Sequence, residues 1–428
     1  MQVIFRVHKH PSSGSTLSLG TVATVVGVVN AAFPTDIVYY WVDQSAVVVN
    51  ATGGLSSPPS GWYTAVVQGA VYEAAVNSKR ESLEFQQLAI SHAAHDAILW
   101  VYHGSRQYAP VDAALRAVIP IIGLDPNSSK GKQAAKIGQA AAAKVAKARA
   151  DDNLVNFVDF TFGPKQPGVY QSTPGGAPLP DTPQARFTRP FAALGDITRF
   201  RSPPPPKTDS AEYEADFLFV KSVGAVNSAN RSAYDTDTAY FWRESSVTGW
   251  NRFAGAIVGS KLDKKPLESA KFYAQLNYAI ANAGFASWDV KYTYQGWRPV
   301  TAVHYPDVWL KSGRNETDTN WVPLLRPTPS HPDYVSTHST FGSAAAHVIK
   351  AWNKGDRIDA TWSSNVTLDN RGVITRRYTS VQFANEENSI SRQFGGIHFK
   401  FAGTEGLKLG DKVAEATLKV FDKNWDKF

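Results

Sequence analysis

The sequence predicts a mainly α-helical protein, a bundle of many helices joined by long proline-rich loops. Three observations predict it. Apolar residues recur at three- and four-residue spacing over long stretches. Several segments are rich in alanine, the best helix former. Only one short stretch reads as paired strands, and no internal repeat is strong enough to name.

The elements follow in order. Residues 1–32 carry Arg6, Lys9 and two histidines, then an apolar, small-residue run over 16–32. That run is too short and too rich in Thr and Gly for a membrane span. It reads as a signal peptide with a small-residue site near Val29-Asn-Ala31. An ordinary buried N-terminal segment is the other reading. Residues 33–428 are expected to form one domain. Residues 61–103 predict one or two long helices, with Leu88, His92, His95 and Leu99 on helical spacing. Residues 130–151 predict an alanine-rich helix with its lysines on a solvated face. The stretch 162–207, with Thr-Pro-Gly-Gly and four prolines at 203–206, cannot continue a helix. Phe187, Phe191 and Phe200 interleave with it and are expected to seek burial, so it should wrap over the core. Further helices are expected over 209–224, 267–288, 339–352, 385–394 and 404–421. Residues 362–378, around Asn370-Arg-Gly, read as a short hairpin.

Composition narrows the function classes. The 428 residues are 43% hydrophobic, enough for a large core. No cysteine is present, which excludes disulfides, thiolate metal sites and a cysteine nucleophile. The net charge of +7 is modest, and without a basic stripe it does not indicate nucleic acid. No later stretch reaches membrane-spanning length, so no stable membrane span is expected. Five sequons, at Asn50, Asn127, Asn230, Asn315 and Asn365, add mild support for a secreted glycoprotein. A homo-oligomer is compatible with this composition.

The chemistry concentrates in residues 288–400, in three short blocks. They are Lys291-Tyr-Thr-Tyr-Gln-Gly-Trp-Arg298-Pro299, Pro332-Asp-Tyr-Val-Ser336-Thr337-His338 and Ser391-Arg392-Gln-Phe-Gly-Gly-Ile-His398. Three cations, a hydroxyl donor and two imidazoles suit a tetrahedral oxyanion, phosphate or vanadate. Lys291 and Arg298 share a face, about 10 Å apart along the axis, if their segment stays helical. Ser336 to His338 precede a small-residue helix, where backbone N–H groups favour anions. Arg392 and His398 would face different ways on one helix, but Gly395-Gly396 can break it and fold both inward. Taken singly, each block also reads as ordinary structure: a surface cation pair, an N-cap serine with a first-turn histidine, a helix-ending glycine pair.

The ordered set Lys-x6-Arg-Pro, Ser-x-His and Arg-x5-His resembles the vanadium-dependent haloperoxidases. It also resembles the wider superfamily that includes type 2 phosphatidic acid phosphatases and bacterial acid phosphatases. The likeness extends through Ala93-Ala-His95-Asp96, the stretch ending Ala148-Arg-Ala-Asp151 and the proline-rich middle, over most of 60–420. It implies a helical bundle of the vanadium haloperoxidase and acid phosphatase type, with vanadate as cofactor. Hydrogen peroxide and halide would be substrates, with a small organic acceptor as a further candidate. By position, the resemblance makes His398 the vanadium ligand. It makes Lys291, Arg298, Arg392 and Ser336 the oxyanion donors, with Thr337 beside them. His338 becomes the acid–base group, Lys291 also acts on peroxide, and Trp288 and His331 wall the halide pocket. Thr337 departs from the usual Pro-Ser-Gly-His by adding a branched side chain where glycine lets backbone approach the anion. Two alternatives stay open: a phosphatase that forms a phosphohistidine at His398, and an inactive oxyanion-binding homologue.

Overall fold

A 29-residue helix, α9 (Pro266–Tyr294), lies at the centre of the unit Pro34–Phe428, and the other elements are best understood from how they cover it. The computed structural model describes residues 36–51, 58–102, 108–152, 154, 156–307, 310–364 and 372–428. These fall in one unit, Pro34–Phe428; a second unit, Met1–Phe33, holds the expected signal peptide and lies outside the described residues.

The first helices are α1 (Ile37–Ala51), α2 (Pro58–Ser78), α3 (Leu83–Val101), α4 (Tyr108–Ile122) and α5 (Ser129–Arg149). The expected stretch 61–103 is therefore two helices. Ser82 starts the second, accepting the Phe85 N–H through its hydroxyl. Next come α6 (Ala211–Val223), α7 (Ala233–Phe241), α8 (Ser246–Val258), α9 (Pro266–Tyr294) and α10 (Pro299–His304). The chain ends with α11 (Thr337–Asn353), a ribbon of β1 (Arg357–Ser363) and β2 (Thr375–Ser380), α12 (Val381–Phe394) and α13 (Lys400–Asn424). The ribbon is antiparallel and pairs Ser363 with Thr375. Its expected turn at Asn370-Arg lies outside the described residues.

Every residue of α9 over 276–292 is buried. A helix enclosed on all sides belongs to a core, and α2, α11 and α13 pack directly on this one. Close approach of α11 and α13 depends on small residues. A Cβ on Gly406 would stand 2.6 Å from Ser336 O, and one on Gly410 would meet Thr340 O. That contact lets Ser336 N–H donate to Ala402 O at 2.8 Å.

The proline-rich segment wraps over α9 as expected, held by ions as well as by apolar contact. Asp289 accepts from Arg186 Nη2 at 2.9 Å and from Arg201 Nε at 2.7 Å. Phe191 is fully buried, but Phe187 is 56% exposed and Phe200 half-buried, against the expectation for all three. Arg186 turns inward to Asp289 and lies over the outer Phe187 ring, 5.4 Å from its centroid. The sequons at Asn127, Asn230 and Asn315 are exposed; the Asn50 side chain and Asn365 lie outside the described residues. Among the described residues no helix is long and apolar enough to cross a membrane.

Candidate active site

Four short segments deliver the three sequence blocks to one place. Lys291 sits in the last turn of α9, where a cation is favoured by the helix dipole. The helix then stops at Tyr294. Gln295 takes φ +47° and its N–H bonds Lys291 O at 2.8 Å. Lys291 and Arg298 therefore do not share a helical face, contrary to the simplest reading of their spacing. Arg298 precedes Pro299, which excludes helical backbone there; its φ and ψ are −85° and 155°. The connecting strand is clamped by Trp297 N–H to Gly168 O and Tyr170 N–H to Gln295 O. Asp333 N–H bonds Gly296 O at 2.9 Å and ties the second block to the first.

Ser336 is the N-cap of α11, as its sequence context suggested, yet its hydroxyl caps nothing. Arg392 lies in the last turn of α12. Gly396, at φ +74°, turns the chain so that His398 follows outside any helix. The glycine pair thus breaks the helix between Arg392 and His398 as expected.

Arg298 is the hub. Its guanidinium donates to His331 O and Ile397 O, each at 2.8 Å, and lies 3.0 Å from both His398 Nε2 and His331 Nδ1. Lys291 Nζ donates to Pro332 O at 2.6 Å and Asp333 O at 2.9 Å, leaving one of its three N–H groups for a ligand. Arg392 Nη1 donates to Trp242 O at 3.0 Å. Trp288 closes one wall, its ring 4.8 Å from that of His331, with its indole N–H on Asp181 O. Thr337 Oγ1 lies 3.0 Å from Ser287 Oγ on α9, so its hydroxyl is engaged there.

Five polar atoms in this cluster are buried with no hydrogen-bond partner among the described residues: Ser336 Oγ, His338 Nε2, Arg392 Nε and both carboxylate oxygens of Asp333. Burying such atoms unpaired is costly, so they mark a place where something else completes the set. The charges say the same. Lys291, Arg298 and Arg392 are buried with one carboxylate among them, Asp333, 3.9 Å from Arg298. Burial and the Arg298 charge hold the Lys291 ammonium well below its usual value, and burial brings Arg392 down to about 9. Burial pushes the Asp333 carboxyl up to about 7 despite Arg298 and Lys291. Burial, then neighbouring cations, depress His331, His338 and His398 well below 6.5, which leaves neutral imidazoles. His338 Nε2 has no partner among the described residues, so a neutral ring with its proton on Nδ1 offers a base there.

Sequence reading missed Asp333, although it lies inside the second block. Its carboxylate is 2.8 Å from His398 Nδ1. The Trp242 carbonyl was also missed, since a backbone acceptor leaves no residue signature.

Residues 271–427 match the family model of the VCPO second helical-bundle domain. A 252-residue stretch is 26% identical to the vanadium chloroperoxidase of Curvularia inaequalis, covering 45% of this chain and 41% of that protein. A 99-residue stretch is 35% identical to the vanadium-dependent bromoperoxidase of Ascophyllum nodosum, covering 21% of this chain and 18% of that protein. The chain thus spans less than half the length of these two relatives. Among solved structures, a bacterial vanadium-dependent iodoperoxidase superposes with a TM-score of 0.73 at 21% identity, over 90% of this chain and 95% of the other. A holo-type bacterial vanadium-dependent chloroperoxidase gives 0.69 at 18% identity, over 86% and 93%. The chain shares the fold of these solved vanadium-dependent haloperoxidases, and its residues 271–427 match the model of the VCPO second helical-bundle domain.

Proposed function

We propose that this chain is a vanadate-dependent haloperoxidase that uses hydrogen peroxide to oxidise halide to hypohalous acid. The observation that carries the reading is the unfinished polar cluster: Ser336 Oγ, His338 Nε2 and Arg392 Nε, buried and unpartnered beside three cations. A tetrahedral oxyanion would supply acceptors for the Ser336 and Arg392 donors and the negative charge the cations lack, and a protonated oxygen on it would donate to His338 Nε2. The donor set fits vanadate. His398 would bond the metal, Lys291, Arg298 and Arg392 would hold its oxygens, and Ser336 would donate its hydroxyl with the Thr337 N–H at the helix start. When bound, vanadate supplies a Lewis acid that activates peroxide without changing oxidation state.

The side chains handle the rest. His338, neutral at Nε2, takes a proton from the incoming peroxide and returns it to the departing oxygen. Lys291 spends its third N–H on the reacting oxygen and draws electron density from it. Trp288 and the neutral His331 line the side from which halide arrives. A polar ring at 331 favours bromide and iodide over chloride. Comparable chloride and bromide turnover at one pH would remove that role.

The test is peroxide-dependent halogenation of a phenol reporter, with and without added vanadate, beside a phosphatase assay run without vanadate. Vanadate-dependent halogenation is expected. Phosphate ester hydrolysis alone would replace this reading with nucleophilic attack by His398. Oxyanion binding with neither activity would mark an inactive homologue.

A further inference from the structure

We infer that a recess between α7 and the proline-rich segment docks the organic acceptor of the reaction, and that this acceptor carries a carboxylate. The recess has a volume of about 620 Å³. A halide ion or a peroxide molecule needs only a small part of that space, which is the size of a small-molecule site. Arg243 and Arg326 both line it, and no acidic side chain does. Arg243 Nη2 donates to the Arg326 carbonyl at 3.3 Å, which leaves most of its donor fork for a ligand. Arg326 is exposed, and its guanidinium has no partner among the described residues. Tyr240, Leu324, Pro174 and Pro327 add apolar surface with rigid faces against which a ring can lie. Two cations in a concave surface without a counter-charge favour an anion, and guanidinium forks match a carboxylate.

The recess is joined to the buried cation cluster on two sides. Arg243 follows Trp242, whose carbonyl accepts from Arg392 Nη1 at 3.0 Å. The Arg243 charge reaches Arg392, where it adds to burial and to Arg298 in lowering that guanidinium. On the other side, Thr173 Oγ1 donates to Thr328 O at 3.3 Å and Ala177 N–H donates to Ser330 Oγ at 2.7 Å. These bonds hold the Pro174-Gly175 turn against the segment that leads into His331. Tyr240 and Leu324 also belong to one apolar cluster with Phe394 and Ile397, which lie between Arg392 and His398 in the chain. The recess therefore borders both the Arg392 and the His331 sides of the site. An acceptor docked there meets hypohalous acid as it leaves. Halogen passes to a ring carbon, a carbon–halogen bond replaces a carbon–hydrogen bond, and the ring proton departs with hydroxide as water.

Docking is independent of turnover; only the acceptor role rests on the haloperoxidase reading. The experiment therefore has two arms. In the first, apo-protein is titrated with para-hydroxyphenylacetate and with its neutral counterpart, para-hydroxyphenylacetamide. The carboxylate should bind saturably and the amide at least roughly tenfold more weakly, the usual worth of a charge-assisted bond. Arg243→Gln and Arg326→Gln should each weaken the carboxylate by a similar factor and leave the amide unchanged. No saturable binding, equal affinity for the two compounds, or wild-type affinity in both variants would overturn the inference. So would displacement of the carboxylate by one equivalent of vanadate, which would put it on the inner cations. In the second arm, bromination of the two compounds is followed with vanadate, peroxide and bromide present. The KM for the carboxylate should rise roughly tenfold in Arg326→Gln with kcat held, and the KM for the amide should stay the same. Rates that neither variant changes would mean halogenation in free solution and would remove the acceptor role. If the wild type brominates neither compound, the haloperoxidase reading falls while the first arm still decides whether the recess holds the anion.

Discussion

Two buried polar clusters meet at Trp242, and they are finished differently. The first surrounds Glu387 on α12. Its Oε1 accepts from Tyr234 OH at 2.5 Å and Arg376 Nη1 at 2.6 Å; its Oε2 accepts from Trp242 Nε1 at 3.0 Å and Tyr378 OH at 2.5 Å. Both oxygens are served and the charge is balanced, so the cluster pins α7, the ribbon and α12 together. The second begins at the Trp242 carbonyl, which accepts from Arg392. There three cations face one carboxylate, and Ser336 Oγ, His338 Nε2 and Arg392 Nε have no protein partner among the described residues. A buried cluster closed by the protein's own atoms serves the fold. One left open spends stability to hold a ligand. The contrast predicts which mutations cost stability and which cost binding.

The largest expected effect falls on the open cluster. His338→Ala should slow halogenation by about 100- to 10,000-fold, the usual worth of a positioned acid–base group, with little change in vanadate affinity. Steady-state rates beside a vanadate titration separate the two. On the closed cluster, Glu387→Ala should cost about 3–5 kcal/mol of folding stability, because it strands Arg376 with no counter-charge. Urea unfolding measures this, and a loss below about 1 kcal/mol would erase the distinction between the clusters.

Ser336→Ala is the mirror case. No protein hydrogen bond is lost, so stability should hold. Vanadate binding should weaken by about tenfold or more, as expected for a hydrogen bond to a charged group worth about 1.5–3 kcal/mol. Equal losses of stability and affinity would mean that the hydroxyl serves the fold after all.

The open cluster should also make the apo-protein sensitive to acid. His331, His338 and His398 have folded values well below 6.5. As pH falls through 6.5, the unfolded chain takes up protons that the folded state refuses, so stability declines. Each imidazole contributes up to about 1.4 kcal/mol per pH unit in that window. Melting temperature between pH 7.5 and 5 should fall, and less steeply in His331→Gln. The smallest effect is expected at Thr337. Thr337→Val deletes the bond to Ser287 and should cost about 0.5–1.5 kcal/mol of stability while leaving vanadate affinity unchanged. Weaker vanadate binding in both Thr337→Val and Thr337→Gly would make that hydroxyl a ligand donor.

The same contrast explains what could be read in the sequence. Alanine-rich and strongly periodic stretches such as α5 and α9 announce themselves. Helix α1 does not, because its Val-rich run, Ile37–Ala51, satisfies strand preference equally well and becomes helical through packing. Helix α4 carries Pro120 inside it, and α7 is only nine residues long. In the site, cations and histidines at fixed spacing were legible since few structural roles need them in that order. How Lys291 and Arg298 meet was not, because it depends on the left-handed Gln295 that ends α9. Asp333 was hidden by its type: a carboxylate next to an anion site makes sense only once its 2.8 Å approach to His398 is seen.

The central claim is that the open cluster binds vanadate through His398, and calorimetric titration of the apo-protein tests it most directly. Wild type and His398→Ala are titrated with vanadate under identical conditions, with inorganic phosphate as competitor. The account predicts saturable one-to-one binding in the wild type, displaced by phosphate, and loss of tight binding in His398→Ala as the metal–nitrogen bond disappears. Equal affinity in the two proteins, or no saturable binding in the wild type, would contradict it.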